Sequence, residues 1–216
     1  MHYFIYPEKD SYIVENSPSH IIQYPDSVSK NYGGDEILEL KKEFLNSYST
    51  TPYGVSRIVT QFDYTDISSS VSSGEIPSNA KYYLRFYEVE GQQESGDSYT
   101  LEALPLVQNW TEGLGKKYDY PNTTDGITWT NSDTSSPWDI GTQNISFGSY
   151  TYTFSEALAE FGDVSYDASS GSRSSGGGAW FISSGLNASQ SFDNESADIE
   201  MEVTNIVTKH ISNYLS

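Results

Sequence analysis

Cysteine is absent from the chain. That excludes disulfides, thiolate metal sites and a cysteine nucleophile, and it leaves the covalent chain unchanged by oxidising or reducing surroundings. Histidine is nearly absent. With only His2, His20 and His210, a nucleophile–histidine–acid site has few bases to draw on, and no Gly-x-Ser-x-Gly turn presents a serine. His2 sits at the terminus and His210 on a helix flank, where structural or solvent-facing roles are expected rather than catalysis. Positive charge is scarce too: 11 Lys and Arg stand against 30 Asp and Glu, a net charge of −19. Such a surface repels polyphosphate and offers no basic stripe for DNA or RNA, so nucleic acid is not an expected partner. The same charge keeps an abundant protein soluble until it assembles.

Long hydrophobic runs are also missing, so no membrane span is expected. Met1 to Asp10 lacks a basic start, an adequate apolar stretch and a small-residue cleavage site, so no secretion signal is expected either. Asn-x-Ser/Thr triplets at Asn109, Asn122, Asn144, Asn187 and Asn194 are then chance products of a chain rich in these residues. Gly176-Gly177-Gly178 lacks the Lys-Ser/Thr that completes a phosphate-binding loop. Carboxylates are plentiful, but glycoside hydrolysis depends on a spatial separation that abundance alone does not supply.

What the chain does have is aromatic bulk. Its 18 Tyr and 9 Phe are spaced by Ser, Thr, Gly and Asn, a mixture suited to many short strands and turns. At 216 residues it is large enough for one β-domain with a real core. Tyr3 to Tyr6 and Ser11 to Val14 read as opening strands, and Asn31-Tyr32-Gly33-Gly34 as a turn. Ile37 to Phe44 fits either a strand or a helix face, and the preceding turn favours a strand. Arg57 to Asp63 alternates as a central strand. After a Ser-rich loop and the breaker Ile76-Pro77, Ala80, Tyr82, Leu84 and Phe86 form one face of a longer strand. Lys81, Tyr83, Arg85 and Tyr87 form the other. Aromatics on both faces point to burial on one side and partner contact on the other, through Tyr83 and Tyr87.

Tyr99, Leu101, Ala103 and Val107 continue the alternation toward Trp110, with a bulge expected at Pro105. The stretch from Asn131 to Gly178 reads as a long insertion. Within it, Ser155 caps a short helix ended by Gly162, and Ser169 to Gly178 forms a mobile Ser/Gly loop. Ala179 to Ser183 and Ile199 to Val203 read as strands, the second with Ile199, Met201 and Val203 on a dry face and Asp198, Glu200 and Glu202 on an acidic one. From Thr204, as N-cap, Ile206, Val207, His210, Ile211 and Tyr214 lie at helical spacing and predict an amphipathic helix over about 204–215.

Candidate ligand residues are few. Oxygen ligands are dense from Asp193 to Asp198 and recur at Asp125, which suits a structural calcium ion, although the spacing is not that of an EF-hand. No other cofactor is expected. Among the tryptophans, Trp110 and Trp129 read as core or corner residues. Trp138 and Trp180 flank the insertion and are the candidates for stacking on a sugar or a partner.

The order of several short motifs carries more. Asp10-Ser11-Tyr12-Ile13, Asn31-Tyr32-Gly33, Ser56-Arg57-Ile58-Val59 with Phe62-Asp63, and Ile76-Pro77 before Ala80 to Tyr87 open the series. Asn109-Trp110-Thr111-Glu112-Gly113, Gly126-Ile127-Thr128-Trp129, Gly177-Gly178-Ala179-Trp180 and Val203-Thr204-Asn205-Ile206-Val207 complete it. Together they resemble the disaggregatase-related DNRLRE domain family across nearly the whole chain. The version with Gly-Gly-x-Trp and a terminal Val-Thr-x-Ile-Val helix is similar to virion structural proteins of marine T4-like tailed phages. That resemblance implies an all-β fold, a jelly-roll-like antiparallel β-sandwich, and a non-enzymatic role on the virion exterior as a neck, tail, fibre or capsid-decoration protein assembled in the host cytoplasm. The partners it implies are other virion structural proteins and further copies of the chain, a homo-oligomer. The family's secreted members keep carbohydrate binding as the alternative. Two departures are expected to matter: the insertion at about 131–178, and the lack of a final apolar strand after the helix, which leaves either a truncated sequence or a sheet completed by a neighbouring subunit.

Overall fold

A computed structural model describes residues 2–16, 27–44, 52–89, 98–106, 108–138, 145–147, 150–152, 163–166, 177–182, 185–193 and 198–215. The chain is predominantly β, with antiparallel pairing throughout. β1 (Lys9–Asn16), β2 (Lys42–Phe44) and β3 (Pro52–Gln61) form a sheet in the order β1-β3-β2, so β3 is central as its alternation predicts. Four two-stranded ladders follow. β4 (Tyr83–Phe86) pairs with β11 (Ile199–Glu202), and β5 (Ser98–Ala103) with β10 (Ala188–Asp193). β6 (Ile145–Phe147) pairs with β7 (Tyr150–Tyr152), and β8 (Asp163–Tyr166) with β9 (Ala179–Ile182). Two α-helices, α1 (Tyr64–Ser72) and α2 (Thr204–Leu215), and one 3-10 turn, Ser27–Ser29, complete the described elements.

β1 is buried on both faces, from Ser11 through Glu15 without a break. The pairing Tyr12↔Ile58 and Val14↔Ser56 puts those residues on one side, where Tyr12 and Val14 pack with Tyr32, Leu38 and Ile58. The pairing Ile13↔Arg57 and Ser11↔Val59 defines the other. That side is covered by tryptophan: Lys9 lies over the Trp110 ring, and Arg57 over Trp129 and Trp180.

A second core lies between the helices and the start of β4. Ile67, Ile76, Val207 and Ile211 are buried together, with Tyr64, Val71, Ala80, Tyr82 and Val203 packed against them. Here the Ser-rich loop expected after Phe62 is instead α1. Asp63 caps it by accepting a hydrogen bond from the Thr65 backbone N–H, and Ile67 and Val71 sit one turn apart on the face that meets α2. Serine supplies little helix propensity, so capping and tertiary packing decide the conformation. In α2 the expected cap shifts by one residue. The Val203 carbonyl accepts the first helical bond, from Val207, while the Thr204 hydroxyl accepts from Tyr82 N–H and donates to Glu202, fastening the helix to the entry of β4.

His210 belongs to this core. Its ring stacks on Tyr64 at 3.9 Å, and burial lowers its pKa from 6.5 to about 4. The unfolded chain therefore takes up the proton first, and stability is lost as pH falls from about 6.5 toward 4. The loss at pH 5 is on the order of 2 kcal/mol. His210→Phe keeps a ring on Tyr64 and removes the titration, so urea midpoints at pH 7.5 and pH 5 are expected to differ less for the variant than for the natural chain.

Other expectations need correction. Tyr3 to Tyr6 is not a strand: the first pairing begins at Glu8, whose N–H donates to the Gln61 carbonyl. Of Ile37 to Phe44, only Lys42–Phe44 is a strand. β4 is shorter than Ala80 to Tyr87, although its alternation holds. At Pro105 the strand stops at Ala103 rather than bulging, because proline removes a ladder donor; Leu106 then makes an isolated bridge to Trp180. The polar strand β10 has no counterpart in the sequence expectations. Its Gln190 amide donates to the Asp198 carbonyl and accepts from Glu200 N–H, joining the β5–β10 ladder to β11 and β4. The helix expected from Ser155 to Gly162, Val107, and residues 169–176 of the Ser/Gly tract lie outside the described residues. The end of that tract is described and is not loose: Gly177 and Gly178 are buried.

Candidate interaction surface

Ile76-Pro77 with the start of the Ala80 to Tyr87 run, and Val203 to Val207, belong to the helix core, while most of the other motifs scattered along the sequence meet in one buried knot. At its centre Asn31, fully buried, uses every bond its amide can make. Nδ2 donates to the carbonyls of Glu112 at 2.7 Å and Ile127 at 2.8 Å. Oδ1 accepts from the N–H groups of Gly33 at 3.1 Å and Gly115 at 2.8 Å. Three separate backbone segments are thereby held around one side chain. Glycine is required by how closely they approach: a Cβ on Gly33 would lie 2.1 Å from the Glu112 carbonyl oxygen, and one on Gly115 would lie 2.4 Å from that of Asn31.

A second crossing completes the knot. Arg57 lies 4.8 Å from the ring centres of both Trp129 and Trp180, and its Nη1 donates to the Gly177 carbonyl. The Gly177 N–H donates in turn to the Trp129 carbonyl. Lys9 caps the Trp110 ring and donates to its carbonyl, while the Glu112 carboxylate accepts from Asp10 N–H. These cations are spent on holding loops to β1 and β3.

From the knot projects the loop Leu114 to Pro121. Lys30 is buried, and its ammonium donates to the carbonyls of Lys117 and Asp119 from below. Asp35 accepts from Lys117 N–H and from the Tyr12 hydroxyl. Burial pushes the Glu39 carboxyl up, but the ammonium groups of Lys117 and Lys41 outweigh it and hold the group below its ordinary value. Asp119 accepts from Lys116 N–H and the Thr123 hydroxyl, bonds that lower its pKa. On this pinned loop Leu114, Tyr118 and Tyr120 are 79%, 82% and 98% exposed. Three large side chains so exposed on one hydrogen-bonded loop make it a candidate contact surface.

The residues singled out from sequence fall elsewhere. Trp138 is buried, and its Nε1 donates to the Thr128 carbonyl at 3.1 Å, so it is a packing residue with no free face for a sugar. Trp180 is half-buried, with Arg57 over its ring. Trp110 and Trp129 are in the core as read. Tyr83 and Tyr87 are exposed on the outer side of β4. The acidic outer face of β11 is matched by cations there: Arg85 pairs with Glu200, and Lys81 with Glu202. Leu114, Tyr118 and Tyr120 escaped the sequence reading because no period marks them. The available signal was two tyrosines flanking Asp119 inside a stretch bounded by Gly115 and Pro121, where turn chemistry leaves no strand to bury them.

For calcium, residues 194–197 lie outside the described residues. Asp198 is engaged by Glu88 N–H, while one buried carboxylate oxygen of Asp125 lacks a hydrogen-bond partner. Among the described residues no group of three or more His, Asp or Glu is placed to hold a metal ion, and no helix is long and apolar enough to cross a membrane. No family model, curated protein or solved structure matches the chain.

Proposed function

We propose that the chain is a non-enzymatic structural protein on the exterior of a tailed-phage particle. It would be a jelly-roll-like sandwich of the disaggregatase-related kind that acts through protein–protein contacts in the neck, tail, fibre or capsid decoration. The observation that carries this reading is the convergence of most of the ordered motifs, those outside the helix core. Asn31, Glu112-Gly113, Ile127 to Trp129, Arg57 and Gly177 to Trp180 come together; the Asn31 amide and the Arg57 guanidinium are engaged in structural bonds, while the buried Trp129 Nε1 has no hydrogen-bond partner among the described residues. That leaves display of the loop Leu114 to Pro121 as the knot's evident output. Quantitative mass spectrometry of purified particles tests the proposal: a fixed copy number per particle is expected, and absence from particles removes it.

Glycan attachment is the second reading, favoured by the exposed Tyr118 and Tyr120 rings beside carboxylates, the chemistry that recognises sugars. It predicts that glycan-array binding is lost in Tyr118→Ala and Tyr120→Ala and retained in Trp138→Phe. On either reading the two tyrosine variants are expected to shift the urea midpoint by less than about 0.5 kcal/mol in stability, because exposed side chains contribute little to folding. Larger losses in a melting experiment would place these rings in the fold rather than at an interface.

A further inference from the structure

The segment His2–Pro7 is another place where apolar side chains face solvent together. Tyr3, Phe4, Ile5 and Tyr6 are all exposed, and Phe4 and Tyr6 are more exposed than the residues that alternate with them. This is the pattern of a strand that has found no sheet. We infer that His2–Pro7 is a donor strand that pairs with β4 in a second copy of the chain, the two copies exchanging segments reciprocally about a two-fold axis.

Several observations select this occupant. Among the described residues β4 is paired with β11 alone, which leaves one edge of backbone donors and acceptors for strand addition. Tyr83 on β4, and Tyr87 and Val89 just after it, are exposed. Charge permits the contact between two copies that each carry −19. His2–Pro7 contains no acidic or basic residue apart from His2, and the acids of β11 across from β4, Glu202 and Glu200, are paired with Lys81 and Arg85. Placement permits reciprocity: the Tyr3 hydroxyl donates to Glu75 at 2.7 Å, in the turn that leads from α1 to β4. Donor and acceptor thus lie near one another on each molecule, as a self-complementary interface requires. The area is sufficient as well. At the ~150–250 Å² an aromatic ring buries, covering one segment removes on the order of 500 Å² of its surface. Two segments with their acceptor edges exceed the ~1,000 Å² of a specific interface.

The pairing is a property of the chain in solution, so its failure and that of the particle reading are separable. Sedimentation equilibrium of the full chain at micromolar concentration is expected to give twice the 24.0 kDa chain mass. The double variant Phe4→Asp, Tyr6→Asp is expected to weaken dimerisation at least about 100-fold, to a monomer whose urea midpoint matches that of the natural chain diluted until it is monomeric. The cysteine-free background allows a second test: mixing Ile5→Cys chains with Tyr87→Cys chains under mild oxidation is expected to give a disulfide between unlike copies in preference to like ones. A natural chain that stays monomeric, a dimer that survives the double variant, or no preference for the unlike disulfide would each overturn the inference.

Discussion

Asn31→Asp is expected to leave no cooperatively folded protein at 25 °C. The substitution removes both amide donors and sets a carboxylate oxygen against the carbonyls of Glu112 and Ile127, which now accept at 2.7 and 2.8 Å. A buried charge without a compensating partner costs several kcal/mol. Each stranded polar group adds about 1–3 kcal/mol, and a domain of this size holds only about 5–15 kcal/mol in reserve. Asn31→Ala keeps the space open but strands four partners, so a loss of about 4–5 kcal/mol is expected in urea denaturation. A loss below about 1 kcal/mol would mean that the three segments are held together by something other than this side chain.

Gly113→Ala is expected to be nearly as severe, and Gly74→Ala separates its two causes. Both glycines have φ of +79°, a conformation that costs an L-residue about 1–2 kcal/mol. At Gly74 a Cβ meets nothing within 4 Å, whereas at Gly113 it would lie 2.2 Å from the Asp125 carbonyl oxygen and 2.4 Å from Asn31 Oδ1. Gly74→Ala should therefore lose about 1–2 kcal/mol, the backbone contribution alone. Gly113→Ala should lose at least about 4 kcal/mol or fail to accumulate as soluble protein. Equal losses at the two positions would show that the segments around Gly113 can spread apart, and that the knot is looser than its distances imply.

Periodicity made part of the fold legible. The alternation in β4 and β11, the central position of β3, and the helical spacing from Ile206 to Ile211 all reflect one dry face meeting one wet one, the condition under which sequence encodes structure most directly. α1 was hidden because its serines carry no pattern, although Asp63 as a cap and the pair Ile67 and Val71 were there to be read. β10 was hidden because only Ala188 and Phe192 mark its buried side, while Gln190 and Ser191 bond across strands. The knot is a different matter. Its motifs were visible in order, but that Asn31 would meet Glu112 and Ile127, residues 81 and 96 positions away, follows from no local rule. Trp138 was misplaced for the same reason: a tryptophan beside a Gly/Ser-rich stretch reads as exposed until the carbonyl that receives its N–H, that of Thr128, is known.

A reconstruction of the particle on which the proposed role places this chain is the most direct measurement. The expected result is the knot buried within each copy, with Leu114, Tyr118 and Tyr120 seated against another virion protein. A particle with no density for the chain, or one in which those three side chains face solvent in every copy, would contradict the proposed role.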